Sequence, residues 1–111
     1  MAAAQNLAFG GRKEKVRLGL IGVGLRGTWH LRNALLRDDT DIRAICDIDP
    51  ERIALCREMI AKAGRREPLA FDKGDFAYRE LLKRDDIDGV IISTPWLWHV
   101  PMAVDSMKAG K

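Results

Sequence analysis

The apolar and polar positions along this chain switch repeatedly between two spacings. Val16–Ile21 (VRLGLI) is a short apolar run of strand length. After it the spacing becomes helical, with Thr28, Leu31, Ala34 and Leu35 on one side of a segment from Leu25 to Arg37. Asp38-Asp39-Thr40 breaks that helix, and Ile42–Cys46 (IRAIC) reads as a second strand. Asp49-Pro50 is a helix-start signal, Asp as N-cap and Pro at the first helical position. Ile53, Cys56, Ile60 and Ala63 then recur at helical spacing until Gly64 stops them.

Leu69–Phe71 is a short third strand, and Asp75 is placed to cap a small helix carrying Phe76, Leu81 and Leu82. Gly89–Ser93 (GVIIS) has no polar face, the pattern of a strand covered on both sides. Pro95 ends it, and a last helix is predicted over Val100–Ala109. The order β-α-β-α-β-α-β-α predicts an α/β fold, a Rossmann-type doubly wound parallel sheet with right-handed crossovers.

That order gives one short stretch its meaning. Gly22-Val23-Gly24-Leu25-Arg26-Gly27 is G-x-G-x-x-G, which alone is a loose pattern. Here it follows a strand and opens a helix, and Asp47 stands at the end of the next strand, which makes it a dinucleotide-binding fingerprint. Gly22 permits the tight turn, Gly24 lets a pyrophosphate reach the backbone, and Gly27 lets helix and strand pack closely. The unpaired N–H groups and dipole of the helix start favour the phosphate charge. Asp47 can accept hydrogen bonds from both hydroxyls of the adenosine ribose and would repel a 2′-phosphate, so NAD is expected rather than NADP. The other reading of Asp47 is an acid at a helix start beside Asp49. Arg26 either adds a charge-assisted bond to the phosphates or points to solvent. An S-adenosylmethionine domain shares the loop and the acid, but its loop usually lacks the third, packing glycine.

A second informative segment follows the fourth predicted strand. Thr94-Pro95-Trp96-Leu97-Trp98-His99 lies at a carboxyl end next to the first strand, where the strand order reverses and ligands bind in such sheets. Thr94, Trp96, Leu97, Trp98 and His99 therefore border the expected crevice. His99, close to a helix start, suits a neutral hydrogen-bonding role. Trp98 is open between a crevice wall and a core plug. His30 reads as a packed or surface residue, and Met102 and Met107 as core filler. No nucleophile–base pair and no metal site is suggested, and the catalytic residues are not identifiable from these positions.

Composition narrows the setting. With 111 residues the chain has room for one small domain. Its net charge is +3, but Arg12-Lys13, Lys15, Arg65-Arg66 and Lys83-Arg84 are interspersed with acids, which argues for solvated faces and against a nucleic-acid groove. No apolar run has the roughly 20 residues of a membrane span. Cys46 and Cys56 read as core thiols in a reducing compartment, so a cytoplasmic location is expected. Residues 1–15 read as a flexible lead-in without the pattern of a signal peptide; an export signal removed ahead of it is the alternative.

Together these motifs resemble the N-terminal domain of the glucose–fructose oxidoreductase/inositol dehydrogenase (Gfo/Idh/MocA) family. The likeness runs through IGVGLRG with His30, ICDIDPER around Asp47, the ELL of the third helix, IDGVIISTP, His99 and MKAGK, from Val16 to Lys111. It implies NAD or NADP binding and hydride transfer on sugars or polyols. TPWLWHVPMAV is narrower still, and resembles the NAD-dependent α-N-acetylgalactosaminidases of that superfamily. These oxidise the sugar transiently, eliminate the aglycone, add water and reduce again. By that resemblance Leu25, Arg26, Asp47 and Trp96 to His99 would line the NAD site.

The family pattern continues past Ala109-Gly110-Lys111 with a fifth strand and a second, substrate-carrying domain. The expectation is thus a partial Rossmann domain over 16–111, truncated before the fifth strand, with at most partial cofactor binding and no turnover by itself. Its fourth strand would then be an exposed edge, and self-association through that edge or the last helix is expected. A non-catalytic dinucleotide-binding module or redox sensor is the contrasting class. It would need no crevice residues after the fourth strand.

Overall fold

The structure, a computed structural model, describes residues 15–111; the expected lead-in lies outside the described residues but for Lys15. Eight elements follow one another: β1 (Val16–Ile21), α1 (Leu25–Leu35), β2 (Thr40–Cys46), α2 (Pro50–Lys62), β3 (Leu69–Phe71), α3 (Tyr78–Leu82), β4 (Gly89–Ile92) and α4 (Trp96–Lys108). The strands form one parallel sheet in the order β3-β2-β1-β4. The chain moves outward from β1 to β3 and then returns to the other side of β1. That reversal makes the end of β1 the switch point of the sheet.

Pleating sorts the core into two layers. Leu20, Ile42 and Ile45 face α1 and α2, where they meet Leu31, Ala34, Ile53, Cys56 and Ile60. Ile21, Ala44 and Cys46 face α3 and α4, against Tyr78, Leu81, Leu82, Ile87 and Met102. Burial of the two thiols pushes Cys46 up to about 12 and Cys56 up to about 11, so both stay protonated at neutral pH, as core groups do.

Local chemistry fixes the ends. Asp49 caps α2 by accepting the Glu51 N–H at 2.9 Å, with Pro50 in the first turn, and Gly64, at φ +73°, closes it. Arg65 differs from the solvated cation expected there. Its guanidinium donates to the carbonyls of Leu35, Arg37 and Thr40, using acceptors left over at the end of α1.

Three further expectations are corrected. The short third helix starts at Tyr78 without a side-chain cap, because the turn before it closes on the Gly74 carbonyl (Ala77 N–H, 3.1 Å) and leaves Asp75 out. The last helix starts at Trp96 and not at Val100, with Pro95 in the cap position. Pro101 sits inside it, removing the N–H that would have reached the Leu97 carbonyl. Met102 is core, but Met107 is 67% exposed. β4 has both faces covered as expected, Ile91 packing toward α1 and α2 and Val90 and Ile92 toward α3 and α4; it is half-buried because it lies at the sheet edge, with β1 its one neighbour among the described residues.

At the amino-terminal end of the sheet, Arg17 forms a two-pronged pair with Asp88 (2.7 and 3.1 Å), and Asp86 is held by Arg84 and Arg43. The Arg84 and Arg17 guanidiniums respectively lower the Asp86 and Asp88 carboxyls to about 2. Groups depressed in the folded state contribute stability above the ordinary carboxylate value, and that contribution disappears as pH falls through about 2. The thermal midpoint should therefore fall between pH 4 and pH 2, and fall less in an Asp86→Asn/Asp88→Asn double variant. An equal fall in both proteins, followed by circular dichroism, would contradict this assignment.

Candidate functional site

Ile21 pairs with Cys46 on one side and with Ile92 on the other, and Cys46 pairs with Phe71. The four strands thus end level, and their following loops share one edge. A cleft of about 240 Å³ opens there, lined by Gly22, Gly24, Asp47, Ile48, Gly74, Asp75, Ser93, Thr94, Pro95, Trp98 and Met102, with Ile21 and Cys46 at its floor. This is below the roughly 300–1,000 Å³ of an enclosing small-molecule pocket, so an extended ligand would lie partly in the cleft and partly on its open rim.

Each glycine of the loop meets a different physical demand. Gly22 has φ +90°, and a Cβ there would lie 2.8 Å from the Ser93 carbonyl carbon and 2.9 Å from the Thr94 methyl. A Cβ on Gly27 would overlap the Gly22 carbonyl oxygen outright, so α1 sits directly on the end of β1. Gly24 is the opposite case: no atom of the described residues lies within 4 Å of where its Cβ would be. Its bareness serves no packing inside the protein. It faces the cleft as the cap of α1, whose first turn holds no acid, and the N–H groups of Leu25, Arg26 and Gly27 have no partner among the described residues. That is the arrangement expected of an anion cradle on a helix start.

Asp47 ties the cradle to its neighbour. One carboxylate oxygen accepts the Val23 N–H (2.9 Å) and the other the Asp49 N–H (2.9 Å). A carboxylate has about four acceptor positions, so each oxygen keeps one for a ligand hydroxyl. No sequence pattern reports which backbone amide a carboxylate bonds, so the link to Val23 is visible only in the folded chain.

The other residues expected at the site divide by position. Thr94 wedges its methyl against Gly22 and donates its hydroxyl to the Met102 sulfur (3.3 Å). Trp98 is both wall and plug: it lines the cleft while meeting Phe76 (centroids 5.5 Å apart) and Tyr78 (6.5 Å) edge to face. His99 bonds through Nε2 to the Thr94 carbonyl (2.6 Å), closing the turn into α4. Leu25, Trp96 and Leu97 stand outside the lining, each more than 80% exposed, and the Arg26 guanidinium lies 5.6 Å from the centre of the Trp29 ring. Gly74 and Asp75 line the cleft too, although no motif marks them for it. Ser93 Oγ, also on the wall, is buried without a partner among the described residues. Among the described residues no group of acids, cysteines or histidines could hold a metal ion, and no helix is long and apolar enough to cross a membrane.

Residues 16–111 match the model of the oxidoreductase family with an NAD-binding Rossmann fold, Gfo/Idh/MocA. The chain belongs to that family. As a Gfo/Idh/MocA domain it is an NAD-binding Rossmann unit, and several curated relatives carry hydrolase names. It is 47% identical over 100 residues to a Shewanella oneidensis protein named alpha-N-acetylgalactosaminidase, a match covering 90% of this chain and 22% of that protein. A glycosyl hydrolase family 109 protein of Stenotrophomonas maltophilia is 45% identical over 101 residues, covering 89% and 22%. The chain thus spans about a fifth of the length of the curated relatives it matches. Among solved structures, a probable dehydrogenase from Thermotoga maritima is similar at a TM-score of 0.66 and 31% identity, over 85% of this chain and 26% of that one. A scyllo-inositol dehydrogenase from Lactobacillus casei, solved with NAD(H) and scyllo-inositol, shares the fold at a TM-score of 0.71 and 22% identity, over 88% and 26%.

The glycines separate packing from binding. Gly27→Ala should cost at least about 2 kcal/mol by overpacking. Gly24→Ala, at φ −75° with open space around it, should stay within about 1 kcal/mol of the parent chain. Urea unfolding of both variants measures the difference, and equal losses would refute the assignment.

Proposed function

We propose that this Gfo/Idh/MocA domain holds the pyrophosphate of NAD on the N–H groups of Leu25, Arg26 and Gly27, with Gly22 and Gly24 keeping the approach open and Asp47 accepting the ribose hydroxyls. The observation that carries this reading is Gly24, bare where nothing among the described residues needs it bare. The cleft lining contains carboxylates but no lysine or arginine, so a 2′-phosphate would meet repulsion without compensation, which favours NAD over NADP. Toward β4, Thr94 and Trp98 form the wall beside the nicotinamide half, with Trp96, Leu97 and His99 at its rim. Arg26 neighbours the phosphates in sequence but is drawn toward Trp29.

For the whole protein we propose a sugar-acting redox enzyme of the α-N-acetylgalactosaminidase type, on the strength of the 47% identity to the Shewanella protein so named. Held on the Leu25, Arg26 and Gly27 amides and by Asp47, NAD would supply a reversible hydride acceptor, the chemistry that transient oxidation of a sugar, elimination of its aglycone and addition of water would require. A dehydrogenase that releases its oxidised sugar is the second reading, favoured by the likeness to the Thermotoga maritima probable dehydrogenase. The two buried free thiols suit a reducing, cytoplasmic setting. The unpaired side of β4 is a surface for pairing between copies of the chain.

Calorimetric titration should give binding of NAD at least about tenfold tighter than NADP, and Gly24→Val should abolish both signals while the fold persists. Equal affinities, or full binding by the valine variant, would refute the site. In the complete gene product, cleavage of an N-acetylgalactosaminide without accumulation of NADH is expected. Net NADH from a free sugar would favour the dehydrogenase. Light scattering of the 111-residue chain should show a mass that rises with concentration, and a monomer at all concentrations would remove the β4 edge as an interface.

A further inference from the structure

The sheet sets the direction of the bound dinucleotide. A pyrophosphate over the end of β1 and a ribose at Asp47, over the end of β2, define a line, and the next strand along it is β3. The adenine must therefore extend toward the loop between β3 and α3. That loop sends Gly74 and Asp75 into the cleft lining, with Ile48, from the loop after β2, lining the same space.

Asp75 has no other occupation. It does not cap α3, its carboxylate makes no hydrogen bond or ion pair among the described residues, and the turn holding it is closed by the Gly74 carbonyl. Gly74, at φ +108°, is in a conformation that side chains rarely adopt, so glycine is what allows the backbone to bend immediately before Asp75. Ile48, 63% exposed, offers an apolar surface on which a flat base can rest.

An ionised carboxylate accepts hydrogen bonds and donates none. On an adenine it can engage the exocyclic amine; against a 6-oxo purine the same oxygen faces an acceptor and is repelled. We infer that Asp75 accepts a hydrogen bond from the 6-amino group of the cofactor's adenine, making the β3–α3 loop a base-reading element that selects a 6-aminopurine dinucleotide over its 6-oxo counterpart. This rests on the proposed cofactor site, and it adds to that site a residue of base specificity.

The test compares NAD with nicotinamide hypoxanthine dinucleotide by calorimetric titration of the parent chain, Asp75→Ala and Asp75→Asn. The parent should bind NAD about tenfold more tightly than the hypoxanthine analogue, as a hydrogen bond to a charged group implies. Alanine should bring the ratio to within about twofold by weakening NAD. Asparagine, which donates as well as accepts, should bring it there by strengthening the analogue. A variant that merely disturbs the loop weakens both ligands together and leaves the ratio in place, and that result overturns the inference while the cofactor site stands. A parent chain that binds NAD without preferring it also overturns it. A parent chain that binds neither dinucleotide overturns the cofactor site and this inference with it.

Discussion

The architecture of the cleft depends on one close approach, that of helix α1 onto the end of β1 at Gly27. No side chain fits between the Gly27 Cα and the Gly22 carbonyl. Because the contact is backbone on backbone, the helix axis starts directly over the strand and its free amides point across the sheet edge. Gly22 is confined from the other side by Ser93 and Thr94, so the same contact also sets the separation of the β1 and β4 loops. Asp47 then fastens the third loop through Val23. Three loops after three strands are held by contacts with almost no rotational freedom, which is what a site for a long, flexible ligand requires.

Much of this is legible in the residues, for definable reasons. Glycines placed where an amide must be reached or a turn made leave a pattern that composition alone does not. The strands β1, β2 and β3 stand out as short apolar runs, and Asp49-Pro50 and Gly64 mark both ends of α2. The α4 start is less legible because Pro95 and Pro101 bracket it. A proline inside a predicted helix usually argues for a later beginning, yet the tryptophans before it are already helical. Met107 follows Met102 by five positions, about 140° around a helix of 3.6 residues per turn, so the period itself sets it off the buried face and its reading as core rests on residue type alone. Asp75 has the position of a cap before a helical segment, whereas a backbone carbonyl closes the turn first. The bonds made by Asp47 and His99 to backbone groups leave no trace in sequence at all.

The two ends of the sheet are built from opposite chemistry. At the amino-terminal end, carboxylates and guanidiniums pair with one another and satisfy their own charge. At the carboxyl end the polar groups are left under-used among the described residues: helix-start amides without acceptors, a carboxylate with spare lone pairs, a serine hydroxyl without a partner. Unsatisfied groups carry a cost that a folded chain normally avoids. Their gathering at this edge separates the groups that keep the domain folded from those it presents.

The level ending of the four strands has a wider meaning. Since Ile21, Cys46, Phe71 and Ile92 stop in line, each connecting loop leaves the sheet from the same height, and its length or composition can change without shifting a neighbour's register. A lineage built on such a platform can exchange its chemistry by rewriting loops and whatever is joined to them, leaving the paired strands as inherited. That one scaffold is shared by proteins with dehydrogenase and hydrolase names is the diversification such a layout permits.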